Sequence, residues 1–186
     1  YVSGAMENTT AVIHGEHAYQ MPGQLIDENT HENTIAHEAF HHWFGDLVTC
    51  ESWSNLPLNE SFATYGEYLW REHKHGRASA DAHLEDMLDG YLRESQYKKE
   101  DMIRYKYFDK EDMFDSHSYS KGGRILHMLR KYVGDDAFFA SLNKYLNDNA
   151  YQAVEVHNLR LAFEAVTGED LNWFFNQWYL EQGHPE

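Results

Sequence analysis

The segment from His37 to Glu60 constrains this chain more than any other. It opens His37-Glu38-Ala39-Phe40-His41, and Glu60 follows nineteen positions after His41. Residues four apart on a helix lie one turn above each other on the same face. His37 and His41 can therefore offer two imidazole nitrogens to one ion. Glu38 lies about 100° round the helix from His37, beside such an ion without being a ligand. Two histidines and one carboxylate leave the fourth position of a tetrahedral zinc open for water. With a carboxylate base alongside, that is the apparatus of metal-assisted amide hydrolysis.

The local pattern supports a helical setting. Capping residues cluster over Asn29 to Asn33, which predicts a helix from there to Trp43 or Phe44, with Gly45 as its stop. Asp46 to Asn55 reads as a connection closed by Leu56-Pro57. A second helix follows from Leu58 or Asn59 to His75, ended by Gly76, with Phe62, Tyr65 and Leu69 at core spacing. His42 cannot easily share an ion with His41, because adjacent helical residues point apart, so it reads as an outer or partly exposed group. His73 and His75 read as solvated residues at a helix end. Asn59 reads as a helix cap in preference to a hydrogen-bonding partner of the site. Cys50 is the sole cysteine, which excludes an internal disulfide and suggests a packed thiol.

Before this segment the pattern is β-like. Thr9 to Ile13 reads as a strand, Gly15-Glu16 as a turn and His17-Ala18-Tyr19 as the return, with Pro22-Gly23 as a breaker. A strand left at the edge would expose unpaired backbone groups and favour association. After the segment, helices are predicted over residues 78–99, 121–132, 135–147, 156–166 and 171–181, with 98–115 mostly loop. Gly183-His184-Pro185 reads as a terminal loop.

Bulk properties exclude several classes. A length of 186 residues suits one domain with its own core. Acidic residues number 31 against 15 basic, a formal charge of −16, which argues against a nucleic-acid partner. No stretch approaches the roughly eighteen apolar residues of a membrane span, and no signal peptide is recognisable. The chain starts at Tyr1 and reads as a piece of something longer, with compartment and oligomeric state left open.

Gly4-Ala5-Met6-Glu7-Asn8, then H-E-x-x-H, then eighteen residues and Glu60, resembles the zinc aminopeptidases of the alanyl aminopeptidase (aminopeptidase N) and leukotriene hydrolase family. Leu58 to Ala63 is similar to that family's third-ligand helix, and Tyr119-Ser120-Lys121-Gly122 matches its Y-x-K-G. Gln177-Trp178 and Gly183-His184-Pro185 resemble the close of its catalytic domain. The family usually has glutamine at the position of His42 and asparagine at that of Asp46, departures expected to tune the site without abolishing it.

The resemblance implies an α+β zincin-like (thermolysin-like) catalytic domain over residues 1–186, mainly helical with an N-terminal strand or hairpin. It further implies that a preceding β-domain and a following helical domain are absent. It implies one zinc ion held by His37, His41 and Glu60, with Glu38 as general base. Tyr119 would steady the oxyanion, and Gly4, Ala5, Met6 and Glu7 would bind substrate, Glu7 through its amine. The implied substrates are peptides with a free N-terminus. The other readings are an endopeptidase or epoxide hydrolase on the same scaffold, or a zinc-binding interaction module without activity.

Overall fold

The computed structural model describes residues 4–27 and 29–184. Pro185 of the expected terminal loop lies outside them. The architecture is mainly helical: α1 (Pro22–Asp27), α2 (Glu32–Phe40), α3 (Pro57–His75), α4 (Arg77–Ser95), α5 (Gly122–Val133), α6 (Asp135–Asp148), α7 (Val156–Thr167) and α8 (Asn172–Tyr179). Two small sheets complete it. β1 (Ala5–Met6) pairs antiparallel with β2 (Ile13–His14), and β3 (Val48–Cys50) pairs parallel with β4 (Gln152–Val154).

Helix α3 is the central element. It packs on α2, α4 and α5, and its buried residues include Leu58, Phe62, Tyr65 and Tyr68. Pro57 occupies its first helical position, where proline's missing N–H removes no intrahelical bond. A column of stacked rings runs from α2 across α3 to α6. Phe40 stacks on Phe44 at 5.3 Å, Phe44 on Phe62 at 4.1 Å, and Tyr145 lies 6.3 Å from Phe62.

Two glycines set the helix separations. A Cβ on Gly66 would lie 2.5 Å from Phe40 Cγ, so only glycine lets α2 lie this close to α3. A Cβ on Gly122 would lie 1.8 Å from Ser61 Oγ, so the start of α5 presses directly on α3.

The helices after residue 76 fall within a few residues of their sequence-based positions, and 98–115 is mostly loop, as expected. The N-terminal hairpin exists in a different register. Thr9 and Thr10 form its turn, with Thr10 at φ +63°, and β1 uses the residues before them. The expected return over residues 17–19 is instead part of a 3₁₀ turn, Glu16–Ala18. Pro22-Gly23 opens α1 where a break was expected, because proline suits the first turn of a helix.

α2 ends at Phe40, short of Trp43. The next amides reach back three or four residues, and further on Asp46 N–H donates to His41 O at 2.9 Å and Leu47 N–H to His42 O at 3.2 Å, five residues back. The connection after it contains β3, whose partner β4 lies about a hundred residues away. Asn59 is not a cap. It sits inside α3, and its Oδ1 accepts the Cys50 N–H at 3.1 Å, tying β3 to the helix. Cys50 is partly buried, and burial pushes its thiol up to about 11, as suits a packed sulfur. No helix among the described residues is long and apolar enough to cross a membrane.

Gly122→Ala is expected to destabilise the protein by about 1–3 kcal/mol, the usual cost of overpacking. Thermal unfolding would read this as a fall of roughly 2–12 °C.

Candidate metal centre and its cleft

His37 projects from α2 and His41 from the residue that caps its end, and Glu60 lies in the first turn of α3 facing them. All three are buried. Glu60 Oε2 lies 3.1 Å from His37 Nε2 and 3.3 Å from His41 Nε2. Ligands about 2.0–2.1 Å from a tetrahedral zinc are separated by about 3.3 Å, close to both distances from Glu60, and all three side chains offer ligand atoms within 4.8 Å of one another.

The outer nitrogens fix how these rings face. His37 Nδ1–H donates to Glu67 Oε1 at 2.9 Å. His41 Nδ1–H donates to the Phe44 carbonyl at 2.9 Å. Both Nε2 atoms are thereby left facing the Glu60 carboxylate. Electrostatics agree. Burial opposes charge on each group, yet the hydrogen bonds outweigh it: Glu60 is held down at about 2, His37 is pushed up to about 10, and His41 is also raised.

The centre forms part of a cleft of about 960 Å³. Gly4, Ala5, Met6 and Glu7, at β1 and just after it, line the same cleft as Glu38 and Tyr119. Carboxylate oxygens of Glu7 and Glu38 and a His41 nitrogen lie within 4.8 Å of one another. Glu38 is buried, and its Oε2 has no hydrogen-bond partner among the described residues. Burial raises its carboxyl above the ordinary value, and Glu7 and Glu60 push the same way against the two histidines. The Tyr119 ring stacks on His37 at 5.9 Å and 12°. Burial, reinforced by the negative charge of Glu60, raises its phenol well above the ordinary value, so it remains an O–H donor.

The structure thus brings every sequence-predicted site residue into one cleft. His42 stands apart, as expected, pairing with Asp46 Oδ2 at 3.0 Å. His75 reaches Glu32 at 3.1 Å, and both His73 and His75 are exposed. Sequence reasoning missed Glu67, which receives His37 on one oxygen and His83 Nε2–H on the other at 3.1 Å. Burial would raise its carboxyl, but these two bonds hold it below the usual value. A signal existed: Glu67 lies seven positions after Glu60, two turns along the same face.

The family model described as the peptidase family M1 domain matches residues 1–178. The tricorn protease-interacting factor F2 of Thermoplasma volcanium is 36% identical over 98% of this chain, which spans 24% of that protein. Aminopeptidase M1 of Arabidopsis thaliana is 34% identical over the whole chain, which covers 22% of it. Among solved structures, a Deinococcus radiodurans M1 zinc metallopeptidase variant bound to a Tyr-Ser-Ala substrate superposes with a TM-score of 0.77 at 26% identity. That match covers 100% of this chain and 39% of the other. This chain therefore spans about a quarter of its curated relatives. With a family model covering nearly all of its length and the metal-type donor set assembled in one cleft, the chain belongs to the M1 peptidase family.

Proposed function

We propose that this chain is the zinc-dependent catalytic domain of an aminopeptidase, a thermolysin-like zincin core forming one domain of a longer protein. The observation that carries the reading is the convergence of His37, His41 and Glu60, whose ligand atoms lie within 4.8 Å of one another, with Glu38 lining the same cleft. His37, His41 and Glu60 would hold one zinc ion. Zinc supplies Lewis acidity, lowering the pKa of a water and polarising a carbonyl oxygen.

The remaining chemistry falls to side chains. Glu38 takes the proton of the attacking water and delivers it to the leaving amine. Burial raises its carboxyl above the ordinary value, which makes it a stronger proton acceptor than an exposed carboxylate. Tyr119 donates its O–H to the oxygen that gains negative charge during attack. Glu7 binds the substrate's α-ammonium, a charge-assisted contact available because a free amine is largely protonated at neutral pH. Anchoring the amine within the same few ångströms as Glu38 limits cleavage to the first peptide bond. The tripeptide bound to the Deinococcus relative supports a peptide as substrate.

In the zinc-loaded protein, Glu38→Gln is expected to keep its metal while losing turnover of aminoacyl amides. Metal analysis beside a chromogenic assay reads both, and a variant that still turned over would remove Glu38 as base. Tyr119→Phe is expected to lower kcat by about 10²–10³, the scale of one lost oxyanion donor. Glu67→Ala is expected to weaken zinc about 10- to 100-fold, measured by chelator competition, because His37 loses its outer partner. N-acetylated substrates are expected to resist cleavage; their turnover at the rate of free-amine substrates would indicate an endopeptidase.

A further inference from the structure

The turn that carries Tyr119 is held by groups the hydrolytic chemistry does not use. Residues His117–Lys121 form a π-helical turn leading into α5, in which Lys121 N–H reaches back five residues to Ser116 O at 2.9 Å. A π turn adds one residue to the helix and shifts its side chains by about 100° relative to plain α register. Without an outside constraint, the turn can relax to the commoner register and carry the phenol away from His37.

That constraint comes from the end of α4. Glu94 accepts the Ser116 N–H at 3.1 Å, the His117 N–H at 3.2 Å and the His117 Nδ1–H at 2.6 Å. One carboxylate thus collects three donors from two consecutive residues. A carboxylate in a helix's last turn opposes that helix's dipole, so stabilising α4 does not account for it.

His117 is fully buried, with Tyr91 packed edge-on against its ring at 5.1 Å. Its Nε2 accepts the Glu100 N–H at 3.4 Å, which fixes the proton on Nδ1. Burial lowers its pKa and favours this neutral form. Asp115 Oδ1 accepts the Ser118 N–H at 2.9 Å and is itself held by Arg104 and Lys98. Neither Glu94 nor His117 lines the cleft.

We infer that the pair formed by Glu94 and the buried His117 is a positioning device for Tyr119, locking the π turn so that the phenol stays against His37. The inference rests on the reading of Tyr119 as oxyanion donor. Gln at 94 keeps the shape but places an amide N–H₂ among three donors. Leu at 117 removes the donor, while Asn presents an N–H close to the position of Nδ1.

The test uses the full zinc-loaded protein. Glu94→Gln and His117→Leu are each expected to lower kcat about 10- to 100-fold, the scale of a small misplacement. KM and zinc content are expected to stay within about twofold. His117→Asn is expected to restore most of kcat. In a Tyr119→Phe background, Glu94→Gln is expected to cost less than about twofold more, since both changes remove the same contribution.

A full, multiplicative loss in that background, or wild-type kcat in Glu94→Gln, would overturn the inference. Wild-type kcat in Tyr119→Phe alone would instead remove the catalytic reading of Tyr119. Amide hydrogen exchange over residues 116–121, followed on the metal-free protein, then judges the clamp by itself: about tenfold faster exchange in Glu94→Gln supports it, and unchanged exchange refutes it. If Glu94→Gln does not fold, the comparison of His117→Leu with His117→Asn carries the same decision.

Discussion

The contact between α2 and α3 is the constraint on which the rest depends. Phe40 lies against Gly66 with no space for a Cβ, and this fixes both the separation and the sliding of the two helices. Three atoms from the two helices must meet within about the tolerance of a zinc bond. A one-residue slip of α3 would swing Glu60 by about 100° and leave the imidazoles without a carboxylate. Rings reinforce the contact from behind, since Phe40 and Phe44 follow His37 and His41 in sequence and stack toward Phe62. Hydrogen bonding reinforces it in front, through His37 to Glu67 on the same α3. Burying ions costs several kcal/mol each, and Glu60 and Glu67 offset that cost by lying against imidazoles.

Four carboxylates gather at the centre, and their surroundings separate them. Glu60 and Glu67 lie against imidazoles and are held ionised. Glu38 is buried with one oxygen unpartnered, and its carboxyl is raised. Glu7 lies just after β1 and lines the same cleft. Neighbouring carboxyls driven in opposite directions by their environments are how one site assigns separate proton-handling roles to the same residue type. The chain's negative charge therefore has a local meaning here that its total of −16 does not convey. The cleft concentrates these four carboxylates within one lining.

The donor set was readable from sequence because it depends on local periodicity. The four-residue spacing of His37 and His41 and a helix start near Glu60 are local patterns, although their meeting is fixed by the contact of α2 with α3. The features that were not readable depend on pairing across the chain. β3 looked like a connection because its partner is β4, about a hundred residues away. Asn59 has the composition of a cap, but the Cys50 amide claims its side chain, and no local pattern announces that. The hairpin register was misplaced because Thr9 to Ile13 has strand propensity, whereas the fold spends Thr9 and Thr10 on the turn and sets Ala5-Met6 opposite Ile13-His14. Propensity described the residues correctly, and tertiary context reassigned them.

The phenol and the metal donors arrive from different parts of the chain, so their mutual placement needs its own explanation. Glu60 and Ser61 are neighbours on α3, about 100° apart round its axis. Glu60 faces the imidazoles of α2. Ser61 faces the other way, its Oγ donating to the Ser118 carbonyl at 2.7 Å while Gly122 presses against it. A single step along one helix therefore registers both halves of the site. Only glycine at 122 admits this approach, which gives the fourth position of the Y-x-K-G sequence a steric reason. α3 thus sets where the turn carrying Tyr119 meets the helix that supplies Glu60, and the contacts from the end of α4 set the register within that turn.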